Sequence, residues 1–533
     1  MSPEDPTPPT GGCPYSHGST AGTPPPRGCA SRRHGSYPHD IVPPRSKYFD
    51  SGRFGRIFGE LPPFASDTPQ LRAGLIEIGK IGGIMDAQDN LADPKNLITD
   101  ENLQVNNQNN PKMTAGMTFL GQFLDHDMTF DPTSSLERQA DPEQIANFRT
   151  PTLALDNLYG AGPGGSPHLY DRTKPIKFLV EPIPDSGTPL RYDIPRNSQS
   201  IALIGDPRND ENLIVSQLHL AFLRFHNAVV DDFVASPAAA GLSMDEIFAE
   251  AQRIVRWHYQ WIIVHEFLRL TCGASTVKDI LKNGRKFYDW NKEPYIPVEF
   301  SVACYRFGHS QVRPSYRSNF TGASDGGQLF QFIFKATEDH SSPENDDLSG
   351  SARAKWRFID WRTFFDFKDS NVRRNKKIDT KLSTPLFQLP GSVVPNPDPR
   401  TNPQSLATRN LLRHLTFSLP SGQKIAATMK AKLPSLTVME DSDFEELKPY
   451  GMHNRTPLWY YILKEAEVQE AGEHLGSVGG RIVAEVFIGL LQGDKQSYLS
   501  QDPDWKPFLT TIDSGKTGED FTMVDLLRFA GVA

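Results

Sequence analysis

Residues 243–273, SMDEIFAEAQRIVRWHYQWIIVHEFLRLTCG, decide the fold class. Ser243 can cap a helix while Glu246, three positions on, reaches back to the capping backbone, and Gly273 offers the left-handed residue that ends one. Between those marks the chain is apolar on nearly every side. A surface helix would keep a polar face, so this pattern predicts a helix in the middle of a large helical domain. A second long helix is predicted from Glu211 to about Phe233, with Leu218, Phe222, Phe225 and Val229 at three- and four-residue intervals and His219, Leu223 and His226 on the adjacent stripe. Period-two alternation is brief, as in PIKFLVEPI (175–183), and predicts only small two-stranded pieces of sheet. The expected class is mainly α, one large helical domain with little β-structure and no internal repeat.

The composition narrows the function. The 56 basic and 64 acidic residues leave a net charge of −8 without long single-sign blocks, so no basic face for nucleic acid or anionic lipid is indicated. Apolar stretches such as Trp261–Val264 and Val486–Leu491 fall far short of the roughly 20 residues that cross a bilayer, and no transmembrane segment is expected. Met1–Pro26 is rich in Pro, Gly, Ser and Thr where a secretory signal would carry a basic start and an apolar run. A cytoplasmic location, or export by a non-classical route, is the resulting expectation. Cys13, Cys29, Cys272 and Cys304 are too few and scattered for a disulfide framework, although a Cys13–Cys29 pair stays open, as does a weak thiolate contact from Cys13-Pro14. Residues 1–40 (PEDPTPPTGG, GTPPPRG) cannot bury enough apolar surface to order themselves and are expected to be a tail; residues 41–533 are expected to form one domain.

Four fragments carry chemistry. TFLGQFLDHDMTFDP (118–132) holds His126 between Asp125 and Asp127 in an otherwise apolar stretch. Three adjacent ionisable groups in a core cost several kcal/mol unless a metal, a cofactor or hydrogen bonds satisfy them. VEFSVACYRFGHSQVRP (298–314) sets His309 after Gly308, which leaves room for a planar ligand. GDPRNDEN (205–212) puts Arg208 three residues before Glu211, and ATRNLLRHL (407–415) supplies Asn410 and Arg413. Each fragment alone has an ordinary structural explanation. Their combination does not.

Together with RTPTLALDNLYG, QLHLAFLRFHN, LGSVGGRIVAEVFIGLLQGD and FTMVDLLRFAGV, these fragments make the chain resemble the peroxidase-cyclooxygenase superfamily, the animal-type haem peroxidases, and within it the microbial single-domain members. The resemblance implies a helical haem peroxidase fold holding haem b. It assigns His126 as the distal base, Gln122 as a distal polar group, Arg208 as the distal arginine and His309 as the iron ligand. Asn410 would accept the proximal imidazole N–H, and Arg306 and Arg413 would pair with the haem propionates. An imidazole titrating near neutrality can move a proton from one peroxide oxygen to the other, and a fixed guanidinium can stabilise charge on the departing oxygen. An asparagine behind the proximal histidine donates less electron density than a carboxylate and should give a more oxidising iron.

The resemblance further implies ester links from Asp125 and Glu211 to the haem. Asn212 stands where myeloperoxidase has the methionine of its sulfonium link, so no such link is expected. It implies a calcium ion on Asp127, Thr150, Thr152 and Asp156, with Ala154 departing from the pattern. His219, His226, His258 and His265 are expected to be core residues. The expected function is a peroxidase that reduces hydrogen peroxide and oxidises small phenolic, halide or pseudohalide donors through a ferryl intermediate, in the response to oxidative stress. A haem-dependent fatty-acid dioxygenase and a non-catalytic binding or adhesion module are the alternatives. The cyclooxygenase oxidant, a tyrosine three residues before the proximal histidine, is replaced by Arg306, and Tyr305 is turned by about 100° if the segment is an α-helix.

Overall fold

The long central helix begins as the sequence requires. In the computed structural model Ser243 accepts from the Glu246 backbone N–H while the Glu246 carboxylate accepts from Ser243, and the helix Met244–Ile262 follows. Its first turns are exposed except for Ile247 and burial is continuous only toward its second half, so it is amphipathic at its start rather than apolar all round. It continues through one π turn, Ile263–Phe267, into Leu268–Cys272, and stops at Gly273 with φ of 80°. The structure describes residues 54–129, 151–290, 293–321, 328–335, 347–350, 353–391, 393–509 and 520–533. The expected tail lies outside them, as do Cys13 and Cys29. Cys272 and Cys304 are buried free thiols. Residues 51–533 form one compact unit.

The second helix is Leu213–Ala235, capped by Asn212, whose Oδ1 accepts from Val215 N at 2.9 Å, and closed by Ser236 before Pro237. It is the one helix among the described residues long and apolar enough to cross a membrane, and 83% of that window is buried in the protein, where it serves as a core helix. The helix Ala115–Met128 completes the centre. Phe123 stacks on Phe222 with centroids 4.8 Å apart and planes 7° apart, and Tyr259 meets both edge-on. Phe123 and Phe222 are fully buried, so truncating either to alanine should cost about 3–5 kcal/mol.

On the other side, Ser477–Gly493 packs close because its sequence allows it. A Cβ on Gly479 would stand 3.0 Å from Ile462, and one on Gly480 would stand 3.2 Å from the Cys272 carbonyl. The buried Glu465 carboxylate accepts from Val478 N and Gly479 N, filling donors that a helix start leaves open. Its pKa is pushed up to about 8 by burial. Among the described residues the sheets are five two-stranded pieces, one of them Lys174–Phe178 with Tyr170–Asp171. The fold is mainly α.

Candidate active site

The strand Asn109–Thr114, paired antiparallel with Arg374–Lys376, leads straight into Ala115–Met128 and fixes where that helix starts. Gln122, Asp125 and His126 fall at i, i+3 and i+4 and therefore on one face. They line a cavity of about 450 Å³ whose walls also include Arg208, Glu211, Arg306, His309 and Arg413. Residues nearly 300 positions apart in sequence thus share one space.

His126 is buried, and its Nδ1 lies 2.7 Å from Asn209 Oδ1. An amide oxygen only accepts, so Nδ1 donates this bond, and in the neutral ring the lone pair is left on Nε2. Nε2 stands 3.5 Å from Glu211 Oε1 on the cavity wall. The Asn209 amide nitrogen in turn donates to His219 Nδ1 at 2.9 Å. His219, read from the sequence as a core residue, thus supports His126 through Asn209.

Arg208 is not a bare cation. Its Nε and Nη2 pair with the fully buried Asp206 at 3.1 and 2.8 Å, and Nη2 also donates to the carbonyls of His126 and Thr129. The guanidinium therefore ties the GDPR loop to the last turn of the distal helix, with its charge balanced in place. Burial acts to lower its pKa, but Asp206, joined by Asp125 and Glu211, raises it on balance. Glu211 accepts from the Gln122 amide, and Asn212 donates to Gln122 Oε1 at 3.2 Å. Asp125 accepts from the Thr129 hydroxyl at 3.1 Å.

The proximal segment is a π turn, Glu299–Ala303, followed by a 3-10 stretch, Cys304–His309, rather than the short α-helix expected. That geometry brings Tyr305 onto the cavity wall, where its hydroxyl donates to the Gly121 carbonyl at 2.9 Å. The α-helical angle used to turn Tyr305 away does not apply. Space lies open where a Cβ on Gly308 would project. The helix Leu406–Thr416, capped by Ser405, carries Asn410 against His309, with the Asn410 amide nitrogen 2.7 Å from His309 Nδ1.

Three features of the cavity fit a haem. Among the described residues the Arg306 guanidinium, which lines the cavity, meets no hydrogen-bond or ion-pair partner, and burial lowers its pKa. Arg409 feels the Arg306 charge, and His309 feels those of Arg306 and Arg413, a gathering of cations that two propionates would neutralise. Asn410 Oδ1 is buried without a partner. An imidazole that binds iron through Nε2 must carry its hydrogen on Nδ1, and half a turn of the Asn410 amide gives that hydrogen the orphaned oxygen as acceptor. Burial and the two arginines push the His309 pKa down to about 3, which keeps it neutral.

The calcium expectation is less well supplied. Asp127 Oδ2 accepts from Leu155 N at 3.0 Å and from the Tyr259 hydroxyl at 3.1 Å, so the loop before Asp156 does fold onto it. Asp156 opens the short helix Asp156–Tyr159, Thr152 is described nearby in the chain, and Thr150 lies outside the described residues. Among the described residues no three His, Cys, Asp or Glu gather to hold a metal. His226 and His258 are core residues as expected: His226 accepts from Tyr159 and donates to Ile176 O, His258 donates to Ile254 O, and burial lowers both to about 4. His265 stacks on Trp261.

Comparison with known proteins agrees with this architecture. The family model described as animal haem peroxidase matches residues 177–337, a span containing Arg208, Glu211 and His309. Peroxidasin of Drosophila melanogaster is 25% identical over 338 residues, covering 59% of this chain and 20% of its own, and a chorion peroxidase of the same fly is 28% identical over 310 residues, covering 55% and 34%. The chain thus spans about a fifth to a third of the length of these curated relatives. Among solved structures, peroxidase A of Dictyostelium discoideum superposes with a TM-score of 0.53 at 15% identity, covering 89% of this chain and 95% of that one. A fatty acid alpha-dioxygenase of Oryza sativa gives 0.50 at 14% identity, covering 86% of each. Residues 177–337 are thus similar to the animal haem peroxidase family, and the fold as a whole is shared with these two solved structures.

Asn209, His219, Asp206 and Arg409 were not read from the sequence as parts of the site. GDPRNDEN did contain a signal, since a buried polar residue beside the distal arginine needs a partner.

Proposed function

We propose that the protein is a haem-dependent peroxidase that reduces hydrogen peroxide and oxidises small phenolic, halide or pseudohalide donors. The observation that carries this reading is the single cavity lined by both His126 and His309, with the Nδ1 of His126 held by Asn209 so that Nε2 is the free base. His309 would hold the iron, backed by Asn410, with Arg306 and Arg413 on the propionates. Bound haem supplies the transfer of two electrons to peroxide and their recovery from the donor. The chain's own part is proton movement and orientation. His126 Nε2 takes the proton from one peroxide oxygen and returns it to the other, a task worth about 10²–10⁴ in rate. Arg208 positions the end of the helix that carries His126 and lends a screened positive charge. Asp125 and Glu211 stand on the cavity wall with carboxylates suited to up to two ester links. A calcium ion on Asp127 is part of the same proposal.

Tyr305 on the wall gives the fatty-acid dioxygenase reading one favourable observation. A tyrosine that loses an electron must also lose its proton, and this hydroxyl faces a backbone carbonyl, which does not take one; burial already pushes the phenol pKa well up. The peroxidase reading is therefore preferred. Stopped-flow spectra of the haem-loaded protein mixed with peroxide, then with phenol, bromide or palmitate, test it. Fast reaction with peroxide, lost in His126→Ala with haem retained, is expected; oxygen uptake with palmitate and no turnover of phenol or bromide refutes it.

A further inference from the structure

A second pocket, of about 260 Å³, shares no wall residue with the haem cavity. Its sides come from the 189–192 loop, the helix Leu213–Ala235 through Gln217, Leu220 and Arg224, and the segment 358–361. The pocket combines two features that a purely structural hollow has no need of.

The first is uncompensated charge. Arg191 and Arg224 both line it, and neither guanidinium has a carboxylate partner among the described residues. Arg191 lies 5.1 Å over the Phe358 ring and Arg224 lies 4.7 Å over the Tyr192 ring, so both cations are pinned on aromatic faces. Burial and the Arg191 charge together lower the Arg224 pKa. Two like charges brought together in a partly dry place repel, and an anion between them removes the penalty.

The second feature is a stiff apolar wall. Leu220, Phe358, Ile359 and Trp361 are all buried. Gln217, also buried, donates to Tyr192 O at 3.2 Å, which fixes its amide at the wall. An apolar cavity of about 150 Å³ takes up benzene, so this pocket has room for one ring and a polar arm. Inorganic phosphate would use the arginines and leave the aromatic wall without a partner.

We propose that this pocket binds a small aromatic carboxylate, with the carboxylate between Arg191 and Arg224 and the ring against Phe358 and Trp361. Arginine forks match a carboxylate in a paired, charge-assisted geometry, and planar side chains match a planar ligand. The site stands apart from the haem and does not rest on the peroxidase reading.

Calorimetric titration of the full-length, haem-loaded protein with benzoate tests it, with benzyl alcohol and inorganic phosphate as comparison probes. Benzoate is expected to bind with a Kd on the order of 1 mM or tighter, and benzyl alcohol at least tenfold more weakly. Arg191→Gln and Arg224→Gln should each weaken benzoate about tenfold while the melting temperature is unchanged; should Arg224→Gln fold poorly, Arg191→Gln alone decides. Binding should persist in His126→Ala and leave the haem absorption spectrum unmoved. No heat with benzoate, equal affinity for phosphate, equal affinity in Arg191→Gln, or a shifted haem spectrum would each overturn the assignment.

Discussion

Replacing Asn209 with alanine isolates the hydrogen bond that orients His126, the proposed base. In the folded protein this amide is fully buried and joins two imidazoles, accepting from His126 Nδ1 at 2.7 Å and donating to His219 Nδ1 at 2.9 Å. Asn209→Ala removes both bonds and creates a small void. A neutral hydrogen bond of this kind contributes about 0.5–1.5 kcal/mol, and a buried group left without a partner costs about 1–3 kcal/mol. The bond that selects the Nδ1–H form of His126 is lost, so the expected slowing of the peroxide reaction is about 2- to 12-fold, at 1.36 kcal/mol per factor of ten. Haem content should not change, because His309, Asn410 and the arginines are untouched. Asn209→Asp gives a sharper contrast. A carboxylate still accepts from Nδ1–H, so the orientation survives, and the peroxide reaction of this variant is expected to stay faster than that of Asn209→Ala. The assay is the second-order rate of the peroxide reaction by stopped-flow absorbance between pH 5 and 8. A parental rate in Asn209→Ala at every pH, with haem fully bound, refutes the argument that this amide sets the tautomer.

Other expectations follow from the same geometry. His309→Ala should lose haem or change its spin state, read from the Soret band, whereas His258→Gln should leave that band unchanged. Denaturing mass spectrometry after peroxide treatment should show haem bound to the polypeptide, with Asp125→Ala and Glu211→Ala each removing one ester; haem that separates completely rejects the covalent links. His226, His258 and His414 are pushed by burial from about 6.5 to about 4, so between those values the unfolded chain takes up protons that the folded chain refuses. Stability present above about pH 6.5 should therefore fall as pH falls toward 4, and His258→Gln should make the fall of the melting temperature less steep. Glu465 works in the opposite sense, since its raised pKa of about 8 gives stability that is lost as pH rises from about 4.5 toward 8, and Glu465→Gln should flatten that alkaline limb.

The sequence determined what depends on local spacing. Ser243 and Glu246 fixed the start of the central helix, the three- and four-residue rhythm of Leu218, Phe222 and Phe225 fixed its neighbour, and brief alternation limited the strands to pairs. It also named the chemistry-bearing residues, because Gln122, Asp125 and His126 share a helix face by arithmetic alone and a buried His between two carboxylates needs an explanation. Tertiary structure decided what depends on partners brought from elsewhere. The π and 3-10 turns of residues 299–309 arise where the proximal segment is held by Trp459 on a distant helix, whose indole donates to the Arg306 carbonyl, and they put Tyr305 on the wall against the α-helical expectation. Asp206 compensates Arg208, and Asn209 links His126 to His219, through hydrogen bonds whose distances no periodicity encodes. That Arg306, Arg191 and Arg224 meet no carboxylate partner among the described residues was likewise invisible in the chain, because only packing decides which acids a guanidinium meets.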